Sequence, residues 1–135
     1  MLLADQPMEL CVPFKFRASH RLSSREEEHF HDWILKVYFE RVLDVGEYWV
    51  MDIVKIRNEI QPIVNQFDNS FLNQKIHWPT CEILCQTFIL KIWEIKDKFE
   101  GAILLAVEVE LSEDDITKES KTLEWGSVKL LNPWR

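Results

Sequence analysis

Glycine is scarce in this sequence, with three residues in 135, and proline adds only five. That composition excludes long flexible linkers. Cysteine is equally sparse: Cys11, Cys81 and Cys85 are odd in number and stand at no metal-binding spacing. A disulfide framework is therefore not expected, and all three read as reduced thiols. No apolar run approaches the roughly 20 residues of a membrane span, so no membrane partner is expected. The opening Met1-Leu2-Leu3-Ala4-Asp5 lacks the basic region and long apolar stretch of a secretion signal, which points to a cytoplasmic location. Positive charge is also in deficit. Sixteen Lys and Arg against 23 Asp and Glu leave a net charge of −7. A general nucleic-acid binder needs a basic face to neutralise phosphate, so that class is excluded too, though a local basic pocket is not.

What is present is ordinary for a globular protein: 47% apolar and 29% charged residues. The length suits one domain spanning residues 1–135, and a chain of this size buries roughly two thirds of its unfolded surface. Met8 to His20 alternates as a strand, with Phe14, Phe16 and Ala18 on the face of His20 and Lys15, Arg17 and Ser19 on the other. Residues 21–28 are polar and acidic, a loop. Asp32 to Leu43 reads as a second strand, on which Trp33, Leu35, Val37 and Phe39 share a face with His29 and His31. Asp44 to Gly46 reads as a turn, and Tyr48 to Met51 as further strand. Asp52 is a candidate N-cap for a helix bearing Ile53, Ile56, Ile60, Ile63 and Phe67, interrupted by Pro62. Residues 67–78 read as loop. Thr80 caps a second helix whose apolar face carries Cys81, Leu84, Cys85, Phe88, Ile92 and Trp93, ending near residues 96–100. Strands follow at 102–111 and within 121–131, joined by a polar turn. The expected architecture is α+β, ordered β-β-α-α-β-β, with a four-stranded antiparallel sheet and two helices on one face. The exposed edges of such a sheet favour oligomerisation.

Three of the four histidines fall within twelve residues. His29 and His31 are two apart on a strand, so their rings point the same way. An antiparallel hairpin returns the chain beside His20. Three neutral imidazoles suit zinc and leave its fourth position open, as catalytic zinc sites require. A lone His-x-His would carry little weight; the third histidine at a strand end makes the pattern worth following.

The segment Phe16-Arg17-Ala18-Ser19-His20-Arg21-Leu22 resembles the opening motif of the 6-pyruvoyl-tetrahydropterin synthase and 6-carboxy-tetrahydropterin synthase family. His29-Phe30-His31 is similar to its His-Gly-His, and Trp49-Val50-Met51-Asp52 to its strand-to-helix junction. Residues 67–73 resemble its Leu-Asp-His-x-x-Leu-Asn segment, and Pro79-Thr80-Cys81-Glu82 its Pro-Thr-x-Glu helix start. The motifs occur in the family's order from residue 14 to about 111. The resemblance implies the tunnelling fold, in which subunits form trimers that often stack as hexamers. It implies zinc on His20, His29 and His31 and a pterin pocket shared between subunits. It further implies a pterin-anchoring glutamate on the third long strand, Glu110, or Glu108 if the count slips by two. Thr80 matches a pterin-contacting threonine, and serves equally well as a simple N-cap.

The departures from the family pattern bear on the chemistry. No cysteine lies between residues 23 and 28, where the family has one. Its Asp-His pair is Asp68-Asn69 here, and asparagine is no general base at neutral pH. Phe30 replaces the glycine of His-Gly-His. One subgroup of the family carries glutamate in place of the cysteine, as Glu-x-x-His, and is associated with cleaving the side chain of dihydroneopterin. Glu26 fits that pattern, although it also belongs to the run Glu26-Glu27-Glu28 that would ordinarily be a solvated loop. His77 and Cys81 are weaker substitutes, better read as a surface histidine and a core thiol. Lys15, Arg17, Arg21 and Arg25 are candidates for phosphate contacts, or simply solvated surface.

Two functions follow. One is a zinc-dependent lyase acting on the side chain of dihydroneopterin triphosphate or a related dihydropterin, with Glu26 and Asp68 as catalytic groups and Thr80 and Glu110 as substrate contacts. The other is a paralogue that binds a pterin or purine-like ligand without turnover. A purely structural metal site is a third, weaker reading.

Overall fold

The computed structural model describes residues 5–112 and 126–135. Two 14-residue strands, β1 (Pro7–His20) and β2 (His29–Val42), form a long antiparallel hairpin. Helix α1 (Ile53–Asn65) follows, then a two-residue strand β3 (Ser70–Phe71), helix α2 (Cys81–Glu94), and strands β4 (Ile103–Ser112) and β5 (Gly126–Leu131). The sheet order is β3-β1-β2-β4-β5. All pairs are antiparallel except β1 with β3, which is parallel.

The expected α+β class is present, with both helices packed against the sheet. The four-stranded antiparallel sheet ordered β-β-α-α-β-β is corrected to a five-stranded mixed sheet ordered β-β-α-β-α-β-β. The additional strand pairs only Ser70 and Phe71 with Ala18 and Ser19. Two residues carry no readable period, which is why the segment looks like a loop in the sequence. The expected strand at residues 48–51 is also absent. β2 ends at Val42, near the ends of both flanking strands, so no sheet neighbour extends to receive those residues. Gly46, at φ +92, turns the chain, and Val50 and Met51 plug into the core instead.

The core follows the alternation of the strands. Phe14, Phe16, Trp33, Leu35, Val37, Val107 and Val109 face the helices and are buried. Helix α1 contributes Ile56, Ile60 and Val64, which recur every four residues, while Ile53 is exposed. Asp52 caps it by accepting from the Val54 amide at 2.9 Å. The helix runs on through Pro62 to Asn65. Helix α2 buries Leu84, Cys85, Phe88, Ile89 and Ile92. Its cap is Thr80, whose hydroxyl accepts from the Ile83 amide at 3.3 Å. The chain's end is pinned by buried Asn132, whose side chain donates to the Leu104 carbonyl at 2.8 Å. Trp134 then stacks on Trp93 with ring centroids 5.4 Å apart. The expected last strand is thus seen from Gly126 onward; residues 121–125 and most of the acidic turn lie outside the described residues.

Candidate metal centre

The register of the hairpin builds the site. His20 pairs directly with His29, Ala18 with His31, and Phe16 with Trp33. The three imidazoles therefore gather at one end of the sheet, on the helix-facing side. Their centroids are 4.6–5.0 Å apart and the rings meet edge to face. One nitrogen from each ring lies within 4.8 Å of the others. Ligand nitrogens on a tetrahedral zinc stand about 3.3 Å apart when the bonds are about 2.0–2.1 Å, so the rings are near ligating distance.

Two of the ring orientations have an identifiable cause. His20 Nδ1 is 2.9 Å from the Pro79 carbonyl, and His29 Nδ1 is 3.0 Å from the Glu27 carbonyl. A carbonyl oxygen can only accept, so each Nδ1 carries a hydrogen, and in the neutral ring that leaves the lone pair on Nε2. The Nε2 atoms of all three rings are shielded from solvent. Behind them stands Trp33, fully buried, with its ring edge to face against His20 and His31 at 5.1 and 5.9 Å. Its indole N–H donates to the Ala18 carbonyl at 3.1 Å, and the Phe16 ring stacks on it. Three imidazole nitrogens, two of them on rings whose outer N–H is committed to a carbonyl, fit a divalent metal of zinc's preferences.

The other candidate residues are distributed around this cluster. Glu26 is beside it: one carboxylate oxygen is 3.4 Å from His29 Nδ1, and the other accepts from the Leu22 amide at 2.9 Å. Its carboxylate thus lies on the outer, Nδ1 side of His29. Thr80 follows the Pro79 whose carbonyl meets His20, which sets it next to the site. Asp68 lies at the outer edge of β1, where Oδ1 accepts from the Arg17 amide at 2.9 Å. Glu110 is not brought to the histidines within the chain. It pairs in register with Ile34, on the opposite face of the sheet, and its carboxylate is 3.3 Å from Lys36 Nζ. Glu108 shares that face and accepts from the Tyr38 hydroxyl at 2.5 Å; this bond is the main reason its carboxyl is held below the ordinary glutamate range.

Lys15 and Arg17 line a cleft of about 370 Å³ with Asp32, Asp68 and Ser112. Arg17 also reaches Asp32 at 3.2 Å and lies over the half-exposed Phe30 ring. His77 and Arg21 line a smaller cleft of about 180 Å³ with Ser23, Ser24 and Trp78. Cys81 is half-buried against the core, and burial pushes its thiol up to about 11. That is the opposite of the lowered value a reactive thiol needs, so the core reading of Cys81 holds. What sequence reasoning missed are the Pro79 and Glu27 carbonyls and the Trp33 wall. Backbone acceptors have no side-chain signature; only Trp33, two residues past His31 on the same face, carried a readable signal.

Residues 9–120 match the family profile described as 6-pyruvoyl tetrahydropterin synthase. The chain belongs to this family. Solved structures agree at the level of fold. The Caenorhabditis elegans 6-pyruvoyl tetrahydropterin synthase superposes with a TM-score of 0.67 at 16% identity, covering 95% of this chain and 99% of that one. The Plasmodium vivax synthase gives 0.63 at 15% identity, covering 95% and 100%. Two further structures of the P. vivax protein carry cysteine or alanine at a catalytic glutamate. An uncharacterised protein of Wolinella succinogenes gives 0.64 at 14% identity, covering 94% and 99%. No curated protein sequence matches the chain. Among the described residues, no helix is long and apolar enough to cross a membrane.

Proposed function

We propose that this synthase-family chain is a cytoplasmic zinc-dependent lyase acting on the side chain of dihydroneopterin triphosphate or a related dihydropterin. The observation that supports this reading most is the convergence of three imidazole nitrogens within 4.8 Å on one long hairpin. His20, His29 and His31 hold the metal. When bound, zinc supplies a Lewis acid that polarises an oxygen of the substrate side chain. The carbonyls of Pro79 and Glu27 hold the His20 and His29 rings in the tautomer that ligates. Trp33 excludes water from behind the cluster.

Glu26 takes the proton removed from the substrate, standing in for the missing cysteine. It is the carboxylate beside His29, and the variants of the P. vivax enzyme show that glutamate serves as a catalytic residue in a relative of this fold. Asp68 assists from the β1 edge, without the histidine that usually follows it. Thr80 and Glu110 contact the pterin. Because Glu110 faces away from the histidines of its own chain, this assignment requires a pocket shared between copies, as in a homotrimer or a hexamer of two trimers. A carboxylate there makes a bidentate, charge-assisted pair with two adjacent ring donors.

The alternative, ligand binding without turnover, draws support from Asn69 in place of a histidine and from the outward position of the Glu26 carboxylate. The two separate in a turnover assay on zinc-loaded protein offered dihydroneopterin and its triphosphate, with products identified by mass. The lyase reading expects a product whose formation falls at least about 100-fold in Glu26→Gln. Glutamine keeps an acceptor for the Leu22 amide, so the loop is retained. Bound pterin with no product from either substrate would sink the lyase and leave the binding protein.

A further inference from the structure

We propose that Asn73 is a positioning residue of the metal centre, clamping the end of β1 so that His20 stays in register with His29 and His31. The inference rests on the metal reading above and concerns a residue with no direct contact to the three rings.

β1 needs support on its outer edge. On its inner edge β2 pairs with it along its whole length, but β3 pairs with only Ala18 and Ser19. The rest of the support comes from the residues around β3, at a nearly constant offset. The Arg17 carbonyl accepts from the Asn69 amide at 2.6 Å, and the Arg17 amide donates to Asp68 Oδ1 at 2.9 Å. Ala18 then faces Ser70 and Ser19 faces Phe71. The next position to need a partner is Arg21, which at the same offset falls opposite residue 73. There the backbone has already curled into a single 3₁₀ turn, Leu72–Gln74, seated by buried Leu72. The ladder continues through the Asn73 side chain instead. Asn73 Oδ1 accepts from the Arg21 amide at 2.9 Å, and its Nδ2 donates to the Arg21 carbonyl at 2.7 Å.

A carboxamide is the side-chain group that offers an acceptor and a donor side by side, as a peptide unit does. Asn73 thus stands in for one further residue of β3. On this outer edge His20 lies between Ser19, the last residue paired with β3, and the clamped Arg21. Its ring is held separately by Pro79, which precedes α2. The carbonyl that receives it belongs to a tight turn in which the Thr80 amide donates to the Trp78 carbonyl at 2.8 Å, with Trp78 at φ +61. Releasing Arg21 would loosen the outer edge of β1 beside His20, whose backbone is then held from the β2 side, while that carbonyl stays in place. The Nδ1 hydrogen bond, and with it the ligating tautomer, would then be lost for part of the time. Outer partners of metal ligands typically contribute 10–100-fold to metal affinity.

The test compares the parent chain, Asn73→Ala and Asn73→Asp, with two readouts. The first is the imidazole ¹⁵N shifts of His20 in the metal-free protein, which report its tautomer. The second is cobalt(II) affinity, measured by chelator competition well below each unfolding midpoint. Asn73→Ala is expected to average the His20 tautomers and to weaken cobalt binding about 10-fold. Asn73→Asp, which keeps the acceptor for the Arg21 amide and loses the donor, should fall between, and covers the case in which the alanine variant does not fold. Unchanged His20 shifts and unchanged affinity in a folded variant, even with a lowered melting temperature, would overturn the proposal and leave Asn73 a merely structural residue. A parent chain that binds no cobalt while the His20 signature still responds to Asn73 would preserve the clamp and refute the metal reading instead.

Discussion

The two faces of the central sheet are made by the same strands and do opposite work. On the helix-facing side, Phe14, Phe16, Trp33, Leu35 and Val109 are sealed under α1 and α2, and the row ends in three histidines. On the open side, one residue over, lie Arg17 with Asp32, Lys36 with Glu110, and Tyr38 with Glu108 and Lys129. One side buys stability and ring geometry from close packing; the other carries partly exposed charge pairs that contribute little to folding and leave a chemically rich surface. A metal site belongs on the first. Its rings need walls that fix them and a low-dielectric surround, while its polar needs are met by a few carbonyls at the rim.

Substitutions on the two faces should therefore differ in kind. The largest effect is expected for Trp33→Ala. It empties a fully buried site and removes the wall behind His20 and His31, and should cost about 3–5 kcal/mol by urea unfolding. A loss below about 1 kcal/mol would mean that packing does not set the ring geometry. Next comes Tyr38→Phe on the open face, which deletes the donor to the Glu108 carboxylate and should cost about 1 kcal/mol at neutral pH.

The same variant carries a pH signature. The Glu108 carboxyl is held below its ordinary value near 4.5 in the folded protein, chiefly by Tyr38. A lowered folded value favours the folded state above the unfolded value, and that advantage disappears as the pH falls through the folded one. The parent should accordingly lose more stability than Tyr38→Phe on acidification from neutrality to below pH 4.5. Parallel pH curves would show that the bond does not bias this carboxyl. The smallest effect is expected for Lys36→Met. The Lys36–Glu110 pair is partly exposed, so its loss should change stability by less than about 1 kcal/mol. A larger change would mean that the open face is structural after all.

Much of this contrast was legible in the sequence. The alternation from Phe14 through His20 and from His29 through Phe39 assigned both faces correctly, because a strand's period of two is imposed by backbone geometry. The hairpin bringing His20 beside His29 was readable for the same reason. What escaped were features without a period. β3 is two residues long, and the Asn73 clamp that continues it is a side chain imitating backbone. Residues 48–51 had strand-like composition, but no neighbouring strand extends far enough to pair with them. The face of Glu110 follows from its register with Ile34. The family resemblance assigns it to a strand but carries no information on which side of the sheet it shares with the histidines. The Pro79 and Glu27 carbonyls that orient the rings could not be anticipated from residue types at all.

The most direct test of the metal centre is a zinc titration of the metal-stripped chain, following thermal unfolding and confirming stoichiometry by metal analysis, with His20→Ala alongside. One zinc per chain is expected, with a melting temperature that rises with added zinc, as binding to the folded state alone requires. In His20→Ala both should be lost, or weakened well beyond the roughly 10–100-fold cost of removing an outer partner. A folded parent chain that neither retains zinc nor gains stability from it, or a His20→Ala variant that binds it as tightly, would contradict the metal centre and every role built on it.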